Sequence, residues 1–311
     1  MYNQEIKEQF IAEHATGEKE RFGWRSMFET IGEYESLVGK DLSEMSIPEV
    51  VEALKPAVIG TYGTAAGVQC MIKAYARWCV DNCPFLYPNK ALSGLEIDDI
   101  DASEYYSKTI FTSEDELIFE LESVRRFDEG FMEGLVLVLA WIGIEQKDVL
   151  SVNIRDVDLQ ERTIYVERLK KAVSFSERIA DVLKVYEKTK VGSRSAGGTT
   201  RPVYRDDSYN TYVRKYSPKG QLGEKPLTPS RIRNAVGTIN ELYIAQGKPS
   251  RLWNGNIVAS GALYRVRLLE LSGVDVFSKK NKDAVVEAFG VKSKLHEVLW
   301  MYRNYKRAFN L

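Results

Sequence analysis

The chain of 311 residues has few cysteines and no long apolar run. Its cysteines, Cys70, Cys79 and Cys83, form neither a C-x-x-C pair nor a disulfide framework, which predicts free thiols. The longest uncharged apolar stretch, Gly134 to Ile144, has eleven residues, against the roughly 20 that a membrane-spanning helix requires. It predicts a buried core helix. Residues 1–20 show no basic segment followed by an apolar one, so we expect a cytoplasmic, nucleoid-associated protein with no membrane partner.

Charge is balanced over the whole chain but not along it. The formal net charge is −1, from 43 basic and 44 acidic residues. Residues 1–150 hold 13 Lys and Arg against 28 Asp and Glu, whereas residues 151–311 hold 30 against 16. Clustered Lys and Arg neutralise phosphates and release counterions, so the basic half predicts a polyanion partner. The alternative is that the two halves attract each other across an interface.

The first hundred residues carry apolar side chains at three- and four-residue spacing, which predicts a compact helical unit. Its longest predicted helix runs from Thr64 to Val80. One face of this helix is apolar, and Gln69, Lys73 and Arg77 form a polar stripe on another face. Prolines, a glycine and an acidic run between residues 83 and 108 indicate a linker.

The chain beyond residue 104 is predicted to form a second domain, mainly helical with a small β-sheet. It begins at a helix that Thr112 or Ser113 caps and whose first turn is acidic. Strands are predicted over 156–166 and 172–175, a flexible Gly/Ser/Thr loop over 193–200, and helices over 176–187, 229–246, 257–271, 282–289 and 294–309.

This order of elements resembles the tyrosine recombinase (phage integrase) family over nearly the whole chain. The helix 64–79 is similar to the long core-binding helix of that family, and residues 111–117 are similar to the entry into its catalytic domain. Residues 137–158 resemble the apolar helix, Gly-Leu-Arg turn, acidic residue and strand entry, while 227–230 and 268–275 are weaker matches. The resemblance implies a helical, SAM-like core-binding domain over 1–104 and a catalytic-like domain over 105–311.

The family's strand-cleavage chemistry is not preserved in the matching positions. Two arginines clamp the phosphate that a tyrosine attacks, a task that needs permanent bidentate cations. The first arginine falls on Glu145, whose carboxylate would repel a phosphate. The H-x-x-R element falls near Asn256 to Ala259, and no arginine stands between Trp253 and Tyr264.

Other matching positions keep the residue type of the family. Lys170 or Lys171 falls on the hairpin lysine, and His296 precedes Tyr305 by nine residues, as the family's last His/Trp precedes its nucleophile. The other histidine, His14, lies in the first domain, so the family's histidine pair is incomplete. Core packing is the alternative role for Tyr302 and Tyr305. The vestigial catalytic positions are Glu145, Asp148, Lys171, Asn256, Ala259, His296 and Tyr305.

Candidate DNA-contacting residues lie in both domains. Ser230, Arg231, Arg233 and Asn234 follow a Thr-Pro helix start, where free N–H groups and the helix dipole favour a phosphate. The remaining candidates are Thr64, Gln69, Lys73 and Arg77 on the long first-domain helix, Lys170 and Lys171 in the hairpin, and Arg194 and Arg201 beside the predicted loop. An ordinary solvated face is the alternative for the stripe of Gln69, Lys73 and Arg77.

These observations favour a double-stranded DNA-binding regulator on a tyrosine recombinase scaffold that has lost strand cleavage. Its nearest functional analogue is the recombinase-like master repressor of SPβ-type temperate phages. The alternatives are a divergent active recombinase that uses Tyr305 or Tyr302, and an accessory protein that bends DNA. We expect no cofactor and no metal site; a regulatory protein or peptide partner is possible, and the oligomeric state, the operator and the inducer stay open.

Overall fold

The computed structural model describes residues 1–125, 130–196, 199–290 and 293–311. The chain divides by packing into unit 1, Met1–Ser107 with Ser293–Leu311, and unit 2, Lys108–Lys292. The helices are α1 (Gln4–His14), α2 (Glu18–Val38), α3 (Ile47–Leu54), α4 (Tyr62–Asn82), α5 (Ser103–Thr109), α6 (Glu114–Arg125), α7 (Gly130–Trp141), α8 (Gln146–Val149), α9 (Glu177–Lys188), α10 (Pro229–Ala245), α11 (Asn254–Leu271), α12 (Lys282–Phe289) and α13 (Leu295–Phe309). The strands are β1 (Val157–Asp158), β2 (Thr163–Val166), β3 (Lys171–Ser174), β4 (Val191–Ala196), β5 (Thr199–Arg205) and β6 (Tyr216–Ser217).

Unit 1 is held together by an aromatic cluster and a buried ion pair. Phe10 of α1 packs edge-on against Phe28 of α2 and Tyr75 of α4, at ring-centre distances of 6.1 and 5.2 Å. Beside this cluster Lys7 donates to Oε1 of Glu35 at 2.5 Å, and both side chains are fully buried. An ammonium and a carboxylate are buried together because each would be costly to bury alone. The interactions join α1, α2 and α4 into one core.

The last helix, α13, belongs to unit 1. Its Trp300 indole N–H donates to the carbonyl of Ile97 at 3.0 Å, and its Asn304 side-chain oxygen accepts the N–H of Ala102 at 2.8 Å. Both side chains are buried, as are those of Tyr302 and Tyr305. The sequence-based division at residue 104 placed this helix in the second domain, because sequence order does not show which core an amphipathic helix covers. That division into functional domains stays a prediction.

Unit 2 contains two three-stranded antiparallel sheets, with orders β1-β2-β3 and β4-β5-β6. The single strand predicted over 156–166 is wrong, because a tight turn in which Asp158 accepts the N–H of Gln160 splits it into β1 and β2. The loop predicted over 193–200 is also wrong, since the described part of this segment lies in β4 and β5, with Val191 opposite Tyr204. Its small residues are typical of a loop, whereas the aromatic and aliphatic residues that favour strands, such as Val191 and Tyr204, lie at the other end of the hairpin.

The core of unit 2 forms around α7, and α11 packs directly against it. Residues 136–140 are fully buried. Gly261 of α11 lies so close to α7 that a Cβ there would stand 1.9 Å from the carbonyl oxygen of Trp141. Only glycine allows this approach of two helix backbones. The approach positions the start of α11 beside α8 and α10, where the candidate catalytic positions lie.

The prediction of a mainly helical fold with a small β content is confirmed by these elements. The helices predicted from residue 176 onward agree with α9 to α13 to within a few residues. No described helix is both long enough and apolar enough to cross a bilayer.

Candidate nucleic-acid interface

A cleft of about 530 Å³ in unit 2 contains the first vestigial catalytic position, Glu145. Three helix starts form its walls. The lining residues are Glu145, Gln146 and Lys147 at α8, Pro229 and Arg233 on α10, and Asn254, Gly255 and Val258 on α11. Of the residues predicted from the sequence, Glu145 and Arg233 therefore share one cleft.

Two carboxylates and one arginine form the α8 corner, which we define as Glu145, Asp148 and Arg168. Arg168 donates from Nε and Nη2 to the two carboxylate oxygens of Asp148, at 2.5 and 2.7 Å, and its Nη2 lies 3.5 Å from Glu145. The Asp148 side chain is only 2% exposed. The hydrogen bonds to Asp148 and the charge of Glu145 raise the pKa of the Arg168 guanidinium. Both carboxylates thus compete with any phosphate for this cation.

The residues of α11 on the cleft wall are Asn254, Gly255 and Val258. Gly255 and Val258 each stand one residue before the predicted positions, Asn256 and Ala259. Asn256 instead donates its amide to the carbonyl of Ser250 at 3.0 Å. Neither register places an arginine or a histidine on this wall.

Arg265, which follows on α11, does not replace the missing clamp. It is half-buried and donates to three main-chain carbonyls, those of Trp141, Ala288 and Phe289, at 2.8 to 3.0 Å. These carbonyls stand at the C-terminal ends of α7 and α12, where a cation is favourable. Burial lowers the pKa of Arg265 to about 10. Its role is therefore structural, and the neighbouring Arg267 forms an ion pair with Glu270 at 2.5 Å.

The last vestigial positions, His296 and Tyr305, lie on α13 in unit 1. Tyr305 is fully buried, and its ring stacks on Tyr302 at 5.9 Å and contacts Phe309 at 5.3 Å. His296 is exposed and contacts the ring of Tyr62 at 4.9 Å. The packing role that helical spacing predicts for Tyr302 and Tyr305 agrees with this burial.

The α10 face, which we define as Ser230, Arg231, Arg233 and Asn234, is exposed. Thr228 caps the helix by accepting the N–H of Arg231 at 3.4 Å, and Pro229 occupies the first turn. Within the described chain no carboxylate lies within salt-bridge distance of Arg231 or Arg233. An exposed helix start with two uncompensated guanidiniums favours an anion.

The hairpin β2–β3 carries two further candidates, Lys170 and Lys171, both exposed. Lys170 has a left-handed backbone, with φ of 49°, at the end of the turn that also holds Arg168. On the second sheet Arg201 is exposed and pairs with Arg194 in the strand register. The side chain of Arg194 lies outside the described part of the chain.

The charge asymmetry of the sequence is smaller between the packed units than between the halves. Unit 1 has 13 basic and 19 acidic residues, and unit 2 has 30 and 25. The acidic segment 108–150 belongs to unit 2, where its carboxylates neutralise part of the basic half. Its ion pairs are Asp115–Arg178, Glu116–Arg251, Glu120–Lys248 and Asp148–Arg168, with distances from 2.5 to 3.3 Å. Attraction between the halves, the alternative raised above, thus accounts for several basic residues but not for the α10 face.

The stripe on α4 is less uniform than its spacing suggests. Arg77 is exposed, Lys73 is half-buried, and Gln69 is half-buried with its amide donating to the carbonyl of Leu95 at 2.7 Å. Thr64 is exposed at the helix start, where its hydroxyl lies 3.0 Å from that of Thr61. The hydrogen bond of Gln69 fixes a linker segment, which leaves Lys73 and Arg77 as the cations on this edge.

Three side chains of the cleft and the α8 corner were not predicted from the sequence. Arg168 stands two residues before the predicted hairpin lysine, and Lys147 and Asn254 flank predicted positions in the cleft. Their closeness to conspicuous motif positions was the only available signal, because ion pairing and cleft lining depend on tertiary structure. The described residues contain no cluster of three or more His, Cys, Asp or Glu side chains able to hold a metal ion.

Comparisons with known proteins give a partial match. The family model described as MrpR, N-terminal core-binding domain, matches residues 1–81. A crystal structure of XerA recombinase aligns over 99% of this chain and 97% of its own, at 16% identity and a TM-score of 0.41. The Tn1549 transposon integrase in complex with a circular intermediate DNA aligns over 98% and 96%, at 13% identity and a TM-score of 0.40. No curated protein matches.

Proposed function

We propose that this protein binds double-stranded DNA as a regulator and does not cleave it. The observation that carries the proposal is the contrast between the α10 face and the α8 corner. Arg231 and Arg233 are exposed without a carboxylate partner in the described chain, whereas Arg168 is held by Asp148 and Glu145. The protein thus keeps exposed cations on α10 for binding phosphate, whereas the cations beside Glu145, Lys147 and Arg168, are held by carboxylates.

Binding of the DNA backbone is assigned to exposed cations around one helix start. Arg231 and Arg233 stand in the first turns of α10, where the helix dipole adds to their charge. Lys170 and Lys171 of the hairpin and Arg201 of β5 are further exposed cations of the same unit. Contacts of this kind position a protein on DNA without reading its sequence.

Loss of cleavage is assigned to two features of the chain. Glu145 stands where a phosphate clamp would require an arginine, and no arginine lies between Trp253 and Tyr264. Removing one preorganised charge partner typically costs about 2.7–4 kcal/mol of transition-state stabilisation, and two are missing here. The complete burial of Tyr305 also keeps its phenol from a substrate in this conformation.

The regulatory role is supported by the first domain. The match of residues 1–81 to the MrpR core-binding family and the resemblance of the whole chain to tyrosine recombinases favour a DNA-binding scaffold. A scaffold that binds and does not cut is suited to occupying a promoter, as the recombinase-like master repressor of SPβ-type phages does. The proposed role is therefore that of a phage or prophage repressor.

Footprinting of the full chain on genomic DNA tests this function. We expect a set of sites enriched at promoters, and a steep fall of affinity with salt, since each neutralised phosphate contributes about −0.9 to the slope of log K against log salt. A single attachment-like site would favour a recombinase. Equal affinity for selected and random duplexes would favour a DNA-bending accessory protein and would contradict the repressor.

A further inference from the structure

A second concavity in unit 2, apart from the cleft, is enclosed by aromatic rings. We call it the tyrosine cavity, after Tyr186 of α9, Tyr212 and Tyr216. Its volume is about 230 Å³, and Met132, Arg205 and Arg214 complete much of its wall. An apolar protein cavity of about 150 Å³ is large enough to bind benzene, so this one can accommodate a single substituted aromatic ring.

The tyrosine rings are fixed before any ligand arrives. Tyr186 and Tyr212 are only 5% and 6% exposed. The Tyr186 hydroxyl lies against Gly134, where a Cβ would stand 2.0 Å from it. Tyr216 donates its hydroxyl to the carbonyl of Thr189 at 2.7 Å. Rings held in this way bind a planar group without a large ordering cost.

The polar groups of the cavity are mainly donors. The buried hydroxyl of Tyr212 has no partner within hydrogen-bond distance in the part of the chain that the structure describes, and burial together with the nearby Glu187 carboxylate raises its pKa. Arg205 and Arg214, with side chains 13% and 12% exposed, share the single carboxylate of Asp207. The other carboxylate of the lining, that of Glu187, acts on Tyr212 but belongs to an exposed residue, so its side chain can turn into solvent when a ligand carboxylate takes its place. A ligand that carries an acceptor or a negative charge would satisfy this set.

The cavity adjoins the α10 face. Met132 and Tyr216 line the tyrosine cavity, and they also line a neighbouring hollow of about 190 Å³. Arg231 and Asn234 are on the wall of that hollow. A ligand that moves the ring of Tyr216 or the side chain of Met132 therefore acts on the surroundings of two candidate DNA contacts.

We infer that the tyrosine cavity binds a small aromatic carboxylate and that its occupancy changes the affinity of the α10 face for DNA. The ring packs among the three tyrosines, and the carboxylate accepts from Tyr212 and Arg214. Such a group can be a free aromatic acid or the C-terminal aromatic residue of a peptide. The effect on DNA rests on the proposed function, whereas binding to the cavity does not.

Isothermal titration of the DNA-free full chain with phenylacetate tests the cavity. We expect phenylacetate to bind the wild type with a Kd of about 1 mM or lower. Phenylacetamide, which lacks the charge, should bind the wild type about tenfold more weakly. Phenylacetate should bind Tyr212→Phe about tenfold more weakly, because this variant loses a hydrogen bond to a charged group. Ile154→Trp, which adds volume at a half-exposed position of the cavity wall, should abolish binding. Tyr165→Phe, on the other sheet and outside the cavity, is the control and should bind as the wild type does.

A peptide Ac-Gly-Gly-Gly-Phe with a free carboxylate distinguishes the two sources, since tighter binding than phenylacetate favours a peptide ligand. The site would be overturned if neither probe bound the wild type. It would also be overturned if Tyr212→Phe and Ile154→Trp bound the probes as tightly as the wild type does. DNA affinity is then measured with and without saturating probe, and we expect a change of about fivefold or more. Binding of probe without that change would overturn the coupling. Binding of probe by a chain that has no affinity for DNA would contradict the proposed function and leave the site intact.

Discussion

Two groups of arginine in unit 2 use the same side chain for opposite purposes. Arg168 at the α8 corner donates to the buried carboxylate of Asp148 and lies near Glu145, so that its charge is used inside the fold. Arg231 and Arg233 on the α10 face have no carboxylate within salt-bridge distance among the described residues, and their charge remains for an external anion. The difference teaches that the partners of a basic residue, rather than its presence, determine whether it can bind DNA.

The same lesson applies to the charge of the whole chain. Division at residue 150 separates the acidic helix α6 from Arg178, Lys248 and Arg251, with which its carboxylates pair. Counted by packed unit, the excess of basic residues in unit 2 is modest. DNA binding must therefore depend on a few placed cations, and individual substitutions should have measurable effects.

The largest effect that we predict is on stability, at the α8 corner. Asp148→Ala should lower the free energy of unfolding by about 2 kcal/mol, because it removes a buried carboxylate that accepts two hydrogen bonds from a guanidinium. Asp181→Ala, which removes an exposed carboxylate paired with Lys184, is the matched control and should cost about 0.5 kcal/mol or less. Urea denaturation measures both. Equal costs would mean that Arg168 is not held as described.

The next effect is on DNA affinity, at the α10 face. Replacing both Arg231 and Arg233 by Ala should weaken binding about tenfold and reduce the salt slope by about 2, while stability stays unchanged within about 0.5 kcal/mol. The double variant should lose affinity for selected and for random duplexes by the same factor. The same should hold for Lys170→Ala and Lys171→Ala, because phosphate contacts do not read sequence. Fluorescence anisotropy at several salt concentrations measures the change. An unchanged salt slope would show that these guanidiniums do not contact phosphates.

Sequence preference should depend on α4 rather than on α10. Lys73→Ala and Arg77→Ala should weaken binding, and a residue that contacts a base edge should lose about 1 kcal/mol of discrimination at its base pair. Gln69→Ala should change DNA binding mainly by loosening the linker segment, since the Gln69 amide donates to the carbonyl of Leu95. Affinities for an operator and a scrambled duplex are compared at one salt concentration. If only the α10 variants lose discrimination, the assignment of α4 as the reader is wrong.

The smallest effect that we predict is the protection of a cysteine on α4 from alkylation when DNA is bound. Cys70 is exposed on this helix, whereas Cys79 and Cys83 are buried and burial raises the pKa of the Cys79 thiol to about 12. Alkylation by a maleimide should therefore occur at Cys70, and bound DNA should slow it a few-fold if this side of α4 faces the duplex. The two buried thiols serve as internal controls. Equal rates with and without DNA would place this helix away from the groove.

Much of the helical architecture could be predicted from the sequence, because apolar periodicity and caps are local signals. Ser176, for example, begins α9 as expected, with its side chain accepting the N–H of Ile179. The hairpin β4–β5 could not be predicted, since its Gly/Ser/Thr composition is typical of a loop. The sequence also could not predict the unit to which α13 belongs, because Trp300 and Asn304 form hydrogen bonds with residues about two hundred positions earlier.

The candidate site was predictable only where a motif marked it. Glu145 was identified from its place in a family pattern, and the cleft contains it. Its partner Arg168 and the contact of Gly261 with Trp141 depend on distances that no local pattern encodes. The tyrosine cavity was missed for the same reason, since its residues come from segments far apart in the chain.

Covalent trapping tests the central claim, that this chain holds DNA and does not cut it. The full chain is incubated with a duplex that carries a bridging phosphorothiolate at a footprinted site, and one sample is analysed on native and denaturing gels. We predict a shifted complex on the native gel and no protein–DNA band on the denaturing gel. A denaturation-resistant band that Tyr305→Phe or Tyr302→Phe abolishes would contradict the account and establish an active recombinase.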